Sequence, residues 1–238
     1  MHELQTKYRM QIEEMAEACV RLGELGYVTS HGGNLSYRVD ENTVLITPTK
    51  VLKRKIVFDD IVVIDLEGRR LFAADNRKPT GESPFHLRIL KKRPDVNAVI
   101  HAHPPVLTGF AIGNPEALTR PYLPEPIFEV GPILPVDYAE PLSEELARAF
   151  DRVIDRADAF LMKNHGFLLC GREGVSRTLE MLEMVETAAY SLFIAISVGR
   201  AREISEQDVE DLENTIKTRG LSLPGAPGVM KGLREGFF

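Results

Sequence analysis

A pair of histidines separated by a single residue, His101 and His103, offers the clearest chemistry in the chain. Side chains alternate along an extended strand, so the two imidazoles are expected to face the same way. The apolar residues 96–100 predict a buried strand, which Pro104 and Pro105 would end. The pattern therefore predicts two metal ligands at the carboxyl end of one strand.

A third imidazole would complete a three-nitrogen site with one open position, as in catalytic zinc centres. His165 is the candidate, because it follows the apolar run 159–162 and so also lies at a predicted strand end. The simpler alternative is that all three are ordinary histidines at strand ends. His103 and His165 are far apart in the sequence, so the metal site that we predict requires the fold to bring them together.

The composition is that of a soluble globular protein. The chain has 238 residues, of which 44% are hydrophobic and 27% charged, so we expect a single domain over residues 1–238. The net charge of −6 offers no basic surface for nucleic acid or for an anionic membrane. Cys19 and Cys170 form no disulfide framework, and no signal peptide or membrane span is apparent. These features predict a cytoplasmic protein.

Hydrophobic periodicity predicts alternating helices and strands around the histidines. Helices are expected over residues 4–26, 84–90, 106–112, 143–154, 173–198 and 206–217. Strands are expected over residues 35–39, 43–47, 61–66, 70–73, 96–100, 159–163 and 167–170. Residues 115–141 are expected to be irregular, and the Gly- and Pro-rich segment 224–238 to become ordered only against a partner or a substrate. The strongly apolar helix 173–198 indicates burial against other elements or a neighbouring subunit.

Two polar turns have the composition of anion-binding loops. The glycines in residues 29–36 can fold so that several backbone N–H groups point at one anion, although an ordinary tight turn is an equal alternative. In the turn 47–50, Lys50 beside two threonines could hold an anion, although basic runs of this kind usually form a solvated surface.

Two further residues have ordinary interpretations when taken alone. Glu82 is expected at a helix N-terminus, where a carboxylate interacts favourably with the helix dipole. Tyr122 lies in a proline-rich segment and by default is a packing aromatic.

Five short motifs occur in the order that is typical of one known family. They are Gly32-Gly33-Asn34-Leu35-Ser36, Ile46-Thr47-Pro48-Thr49, Pro79-Thr80-Gly81-Glu82, His101-Ala102-His103-Pro104 and Asn164-His165-Gly166. On these motifs, over roughly residues 8–218, the chain resembles the class II aldolase/adducin-head family. The resemblance implies an α/β fold, namely an α/β/α sandwich with a mostly antiparallel central sheet. It also implies a homotetramer with active sites at the subunit interfaces, where the tail from about residue 219 would lie.

The same resemblance implies roles for individual residues. The three histidines would hold Zn²⁺, or another divalent cation such as Mn²⁺ or Co²⁺, and Glu82 would be the catalytic acid/base. Tyr122 aligns roughly with a tyrosine that serves the neighbouring subunit as proton donor. The residues that would bind the substrate phosphate are Gly33, Asn34, Thr47, Thr49, Thr80 and Gly81.

The chain departs from the family pattern in three of its motifs. Lys50 stands where glycine is usual, Thr80-Gly81 stands where two serines are common, and His31 replaces a smaller residue before the glycines. Lys50 and His31 could therefore hold a carboxylate instead of a phosphate.

Three functions follow from the resemblance. The first is a metal-dependent lyase that cleaves or forms a C–C bond in a small sugar phosphate or related hydroxy-ketone through an enediolate. The second is a decarboxylase, dehydratase or epimerase of an oxo or hydroxy acid at the same site. The third is a non-catalytic, adducin-like interaction module, against which the retained histidines and Glu82 argue. In the enzymatic cases the partner is a small, anionic molecule.

Overall fold

The computed structural model describes residues 2–238. Its strands are β1 (Asn34–Arg38), β2 (Thr43–Ile46), β3 (Val62–Asp65), β4 (Arg70–Phe72), β5 (Ala98–Ala102), β6 (Ile133–Val136), β7 (Ala159–Met162) and β8 (Gly166–Gly171). They form one sheet in the order β4-β3-β2-β1-β5-β8-β7-β6. Within residues 2–238 only the pair β6–β7 is parallel, which confirms the mostly antiparallel sheet.

Helices cover both faces of this sheet. They are α1 (Glu3–Lys7), α2 (Arg9–Glu24), α3 (Ser83–Lys92), α4 (Pro105–Gly113), α5 (Pro124–Glu129), α6 (Glu144–Ala149), α7 (Val175–Val198), α8 (Glu206–Thr218) and α9 (Arg234–Phe237). Ile100 of β5 packs in one core with α2, α4 and α7, and its neighbour Val99 packs in a second core with α3 and α6. Because successive side chains of β5 enter opposite cores, the sheet lies between two helical layers, and the α/β/α sandwich is confirmed.

The strand β6 corrects the expectation that residues 115–141 are irregular. This segment also contains α5 and a short 3₁₀ turn at Pro115–Thr119. Pro135 argues against a strand in the sequence, because proline has no N–H to donate to a neighbouring strand. β6 tolerates it as the edge strand of the sheet.

Two predicted helices are shorter than expected. The first is interrupted at Tyr8, which separates α1 from α2. The helix that Ser143 caps ends at Ala149 and continues only as a 3₁₀ turn to Arg152.

The C-terminal tail packs on its own chain, contrary to the expectation that order requires a partner or a substrate. Leu233 and Phe237 are buried against Val209 and Ile216 of α8. Arg172 donates a hydrogen bond of 2.7 Å to the carbonyl of Gly225. A position of this tail at a subunit interface stays a prediction.

The helix α7 has two different faces. Its 24 residues are long and apolar enough, by length and composition alone, to cross a membrane. Leu182 and Val185 are buried in the core shared with α2 and α4. Tyr190 and Phe193 are instead about half exposed, at 53% and 54%. One face of α7 thus belongs to the core of a globular fold, and the other is an apolar surface.

Candidate metal centre

His101 lies in β5 and is completely buried. Its Nδ1 is 2.9 Å from the carbonyl oxygen of Phe167, in the neighbouring strand β8. A carbonyl can only accept, so Nδ1 carries the hydrogen and Nε2 carries the free lone pair. This Nε2 has no hydrogen-bond partner in the described chain. A buried free nitrogen, on a ring whose other nitrogen donates to a backbone carbonyl, is typical of a metal-ligating histidine.

His103 and His165 converge on this nitrogen from two chain segments. His103 lies one residue beyond the end of β5, and its backbone nitrogen donates to the carbonyl of Tyr27 at 2.8 Å. His165 occupies the turn between β7 and β8. The ring of His101 lies 4.8 Å, between centroids, from each of the other two rings.

The three side chains fit a metal ion. One nitrogen from each ring lies within 4.8 Å of the others. Nδ1 of His165 is buried without a hydrogen-bond partner in residues 2–238, and its Nε2 lies 3.6 Å from Oε1 of Glu82. Three imidazoles that leave a coordination position open are the donor set of catalytic zinc. Whether the ion is zinc is a proposal.

Burial keeps these imidazoles neutral. It lowers the pKa of His101 and His103 to about 3, and the neighbouring imidazoles add to the effect. Burial also lowers the pKa of His165. Neutral histidine is the form that binds metals, so near pH 7 no protons have to be removed from these ligands.

Gly166 allows His103 to lie close to the β7–β8 turn. A Cβ atom at Gly166 would be 2.4 Å from Cδ2 of His103 and 2.8 Å from the carbonyl oxygen of Ala102. No side chain fits there without moving the His103 ring or the backbone of β5.

Glu82 faces the histidines and does not cap its helix. It is the N-cap residue of α3, but its side chain makes no capping hydrogen bond. Its Oε2 accepts a hydrogen bond of 2.7 Å from the amide of Asn34. Oε2 lies 3.6 Å from Nε2 of His101, and Oε1 lies 3.6 Å from Nε2 of His165. The carboxylate is therefore next to the position where an ion would bind.

One neighbour of Glu82, His86, was not predicted as a site residue from the sequence. His86 is completely buried and hydrogen-bonds to the amide oxygen of Asn34 and to the hydroxyl of Ser36. Glu82 and His86 are four residues apart at a predicted helix start, and this spacing indicates that they are neighbours on the helix surface. His86 was instead assigned to the apolar run of α3.

The glycine loop borders the metal centre. Gly33 has φ of 69°, and a Cβ there would be 2.4 Å from Cγ1 of Val28 and 3.0 Å from the carbonyl of His101. The left-handed backbone and the close contacts both require glycine. His31 is exposed beside this loop.

The turn 47–50 lies beside the segment that contains Glu82. Pro48 and Pro79 form a β-bridge, and the backbone nitrogen of Thr80 donates to the carbonyl of Thr47 at 2.9 Å. Thr80 Oγ1 accepts from the backbone nitrogen of Glu82 at 3.3 Å. The motifs that the resemblance assigns to substrate binding are therefore adjacent in space.

Thr47 is directed into the protein. It is completely buried, and its Oγ1 accepts from the backbone nitrogen of Leu35 at 3.1 Å. Thr49 donates its backbone N–H to Lys78, and a Cβ at Gly81 would be 3.0 Å from Leu142.

Two lysines of the basic run 50–55, Lys50 and Lys53, have distinct surroundings. Lys50 is exposed and has φ of 58°. Lys53, which the sequence did not single out, is 2% exposed, and its ammonium donates to the carbonyls of His31 and Val51. Burial lowers the pKa of Lys53.

Tyr122 lies elsewhere in its own chain. It lines a small apolar pocket together with Leu118, Ile127, Ile133 and Phe237, and none of the three histidines lines that pocket. Burial raises the pKa of its phenol. A catalytic role for Tyr122 would require a neighbouring subunit.

Comparison with known proteins identifies relatives along most of the chain. The family model described as Class II Aldolase and Adducin N-terminal domain matches residues 13–192. A 3-oxo-tetronate 4-phosphate decarboxylase of Haemophilus influenzae is 33% identical over 205 residues, which are 83% of this chain and 95% of the relative. An L-fuculose phosphate aldolase of Methanococcus maripaludis is 31% identical over 185 residues, 78% of this chain and 97% of the relative.

A solved structure has the same architecture. The crystal structure of YgbL from Klebsiella pneumoniae, described as an aldolase, epimerase or decarboxylase, superimposes with a TM-score of 0.79. The two sequences are 26% identical, and the match covers 86% of this chain and 98% of that one.

Proposed function

The chain belongs to the Class II Aldolase and Adducin N-terminal domain family, and from this premise we propose that it is a metal-dependent lyase acting on a small sugar phosphate. The observation that carries the proposal is the position of Glu82, with its carboxylate oxygens 3.6 Å from nitrogens of His101 and His165. A carboxylate beside three neutral imidazoles supplies both a proton carrier and a metal site.

The reactions named for the relatives share one intermediate. Cleavage of L-fuculose 1-phosphate between its third and fourth carbons gives lactaldehyde and the enediolate of dihydroxyacetone phosphate. Loss of carbon dioxide from a 3-oxo-tetronate 4-phosphate leaves the same enediolate, and protonation of its carbon then gives dihydroxyacetone phosphate. One set of residues can therefore serve either reaction.

The three histidines would hold the ion, and we propose Zn²⁺ because three imidazoles with an open position are its typical catalytic ligands. Mn²⁺ and Co²⁺ can use the same donors. When bound, the ion would act as a Lewis acid that lowers the energy of negative charge on the substrate oxygens.

Glu82 is proposed to carry the proton to and from the substrate carbon. Its Oε2 is held by Asn34, whereas Oε1 has no hydrogen-bond donor within residues 2–238. General acid–base catalysis contributes about 10²–10⁴-fold, so Glu82→Gln is expected to lower the rate by that factor while the metal is retained. If this variant keeps full activity, a group other than Glu82 must transfer the proton.

The anionic end of the substrate is proposed to bind between the glycine loop and the turn 47–50. Backbone N–H groups and hydroxyls are suited to phosphate, and the residues assigned to this role are Gly33, Asn34, Thr49, Lys50, Thr80 and Gly81. Lys50 and His31 add positive charge or donors that suit a carboxylate. They favour decarboxylation as the second candidate, in line with the Haemophilus relative.

A homotetramer with interface active sites is proposed for the assembly, in the cytoplasm. The exposed apolar side chains of α4 and α7 suit burial against a second copy, and they are Ile112, Tyr190, Phe193, Ile194, Ile196 and Val198. Phe193→Glu is expected to dissociate the assembly in light-scattering chromatography, whereas Met10→Glu, at a side chain 77% exposed, is expected to leave it intact. A monomeric parent protein would contradict the proposal.

A substrate comparison tests the reaction itself. Protein loaded with Zn²⁺ is assayed for cleavage of L-fuculose 1-phosphate, for decarboxylation of 3-oxo-tetronate 4-phosphates, and for deuterium exchange into dihydroxyacetone phosphate in D₂O. We expect exchange together with one of the two cleavages. Stoichiometric zinc without any of these reactions would contradict an enediolate mechanism, and failure to bind zinc would favour the non-catalytic module.

A further inference from the structure

A continuous row of hydrogen bonds leads from the interior to Glu82. Oε2 of Glu82 is 2.7 Å from the amide nitrogen of Asn34, and the amide oxygen of Asn34 bonds to Nε2 of His86. Nδ1 of His86 is 2.8 Å from the hydroxyl of Ser36. Ser36, His86 and Asn34, here called the buried triad, are each at most 3% exposed.

The register of one strand and one helix builds this row. Asn34 and Ser36 are two residues apart in β1, so their side chains leave the same face of the sheet. Glu82 and His86 are four residues apart at the start of α3, so they are neighbours on the helix surface. Each element thus contributes two polar side chains to the same interior position.

The direction of every bond follows from the carboxylate. Glu82 can only accept, so Asn34 turns its NH₂ group toward Glu82 and its oxygen toward His86. His86 must then donate from Nε2, which leaves Nδ1 to accept from the hydroxyl of Ser36. Burial lowers the pKa of His86 well below its ordinary value, which keeps the ring neutral, with one donor and one acceptor. The buried triad therefore has one self-consistent arrangement of protons.

We propose that His86 is a positioning residue for Glu82 and that it acts through Asn34. The triad fixes the Asn34 amide, which holds Oε2, so Oε1 is the oxygen left to take the proton from the substrate carbon. The two carboxylate oxygens thereby acquire different tasks. This inference rests on the acid–base role proposed for Glu82.

Two replacements of His86 separate this role from packing. Methionine fills much of the imidazole volume but cannot donate, whereas glutamine can still donate to Asn34. In Zn²⁺-loaded protein, His86→Met is expected to slow deuterium exchange into saturating dihydroxyacetone phosphate roughly 10–100-fold, with zinc content unchanged. His86→Gln is expected to recover most of the rate. Equal rates for the two variants would overturn the proposal.

A double-mutant cycle tests whether His86 acts through Glu82. In a Glu82→Gln background, His86→Met is expected to slow the residual exchange less than about twofold, since the group that it positions is gone. If His86→Met slows exchange in the Glu82→Gln background by the same factor as in the parent protein, the two residues act independently and the proposal is overturned. If Glu82→Gln alone leaves exchange unchanged, the acid–base proposal has failed, and this outcome is visible without any His86 variant.

Nitrogen-15 spectra of the His86 ring test the triad without turnover. The Nε2-protonated tautomer is expected in the parent protein, and a hydrogen on Nδ1 would overturn the proposed bond directions. If the melting curve of His86→Met shows that this variant does not fold, Ser36→Ala is measured instead of the His86 variants. Loss of this one hydrogen bond is expected to slow exchange by roughly 3–10-fold, with the hydrogen still on Nε2 because the Asn34 oxygen requires it. A Ser36→Ala protein with the parent rate would also overturn the proposal.

Discussion

Glu186 accepts a hydrogen bond of 2.8 Å from the backbone nitrogen of Val106. Its other carboxylate oxygen accepts from the backbone nitrogen of Leu107 at 2.9 Å. These N–H groups belong to the first turn of α4, where a helix has no internal acceptors for them. Val106 follows the metal-ligand candidate His103 by three residues, so this buried carboxylate ties α7 to the segment that leaves β5.

Replacement of Glu186 by glutamine is expected to lower the free energy of unfolding by about 1–3 kcal/mol, because an NH₂ group would face a backbone donor. Urea unfolding of the metal-free protein measures this loss. The matched control is Glu180→Gln on the same helix, whose carboxylate is 67% exposed and pairs with Arg177. We expect the control to change stability by less than about 0.5 kcal/mol. Equal effects of the two variants would contradict a specific role for the α4 contact.

Gly166→Ala is expected to weaken zinc binding roughly 10–100-fold, because a Cβ 2.4 Å from Cδ2 of His103 must displace that ring. Competition with a chromophoric chelator measures the affinity. Gly199→Ala provides the control, since a Cβ at Gly199 meets nothing within 4 Å and its φ of 173° suits any residue. If Gly166→Ala binds zinc with unchanged affinity, then either His103 is not a ligand or the β7–β8 turn moves to accommodate the new Cβ.

Lys50→Gly is expected to stabilise the fold and to impair substrate binding. The φ of 58° at Lys50 costs an L-residue roughly 1–2 kcal/mol, so glycine should raise the free energy of unfolding by about 0.5–1 kcal/mol after its own entropy cost. Loss of a charged hydrogen-bond donor should raise KM for dihydroxyacetone phosphate about tenfold or more.

Asp75→Gly is the matched control for Lys50, because Asp75 is also exposed with a positive φ, 48°. Asp75→Gly should raise the free energy of unfolding by a similar amount, without a change in KM. A Lys50→Gly protein with the parent KM would exclude this lysine from anion binding.

Asp151 provides a stability effect that depends on pH. Its hydrogen bond from Arg88 lowers its pKa to about 2, and Lys92 contributes at 2.9 Å. A carboxyl group with a lowered pKa stabilises the fold above its unfolded value near 4, and this contribution disappears as the pH falls from about 4 toward 2.

Asp151→Asn is therefore expected to cost about 1 kcal/mol at pH 7 and progressively less below pH 4. Urea unfolding of both proteins across this range measures the difference. Asp75→Asn, at an exposed position, should show no such convergence. A difference that is constant down to pH 2 would mean that the Arg88 contact does not contribute in this way.

Local sequence patterns were sufficient to predict the metal-ligand candidates. His101, His103 and His165 each follow a short apolar run, and the antiparallel pairing of β5 with β8 brings those runs together. The resemblance to the family supplied the mostly antiparallel sheet and the acid/base role of Glu82. Taken alone, Glu82 was expected to interact with its helix, because position at an N-terminus does not reveal where a carboxylate points.

Features that depend on contacts between distant elements were not predicted. The bond between Asn34 and His86 depends on how α3 packs on β1, which no pattern within either segment encodes. The basic run gave no sign that Lys53 turns inward while Lys50 remains exposed. β6 was missed because Pro135 argues against a strand unless its edge position is known.

The ligand candidates come from two neighbouring strands in the middle of the sheet. His101 belongs to β5 and His165 precedes β8, so an ion can bind all three rings only in a chain in which these strands have paired. Such an ion favours the folded chain by mass action, by about 2.7 kcal/mol at a free concentration one hundred times its Kd. Metal supply would then govern how long each copy survives proteolysis as well as how many copies are active.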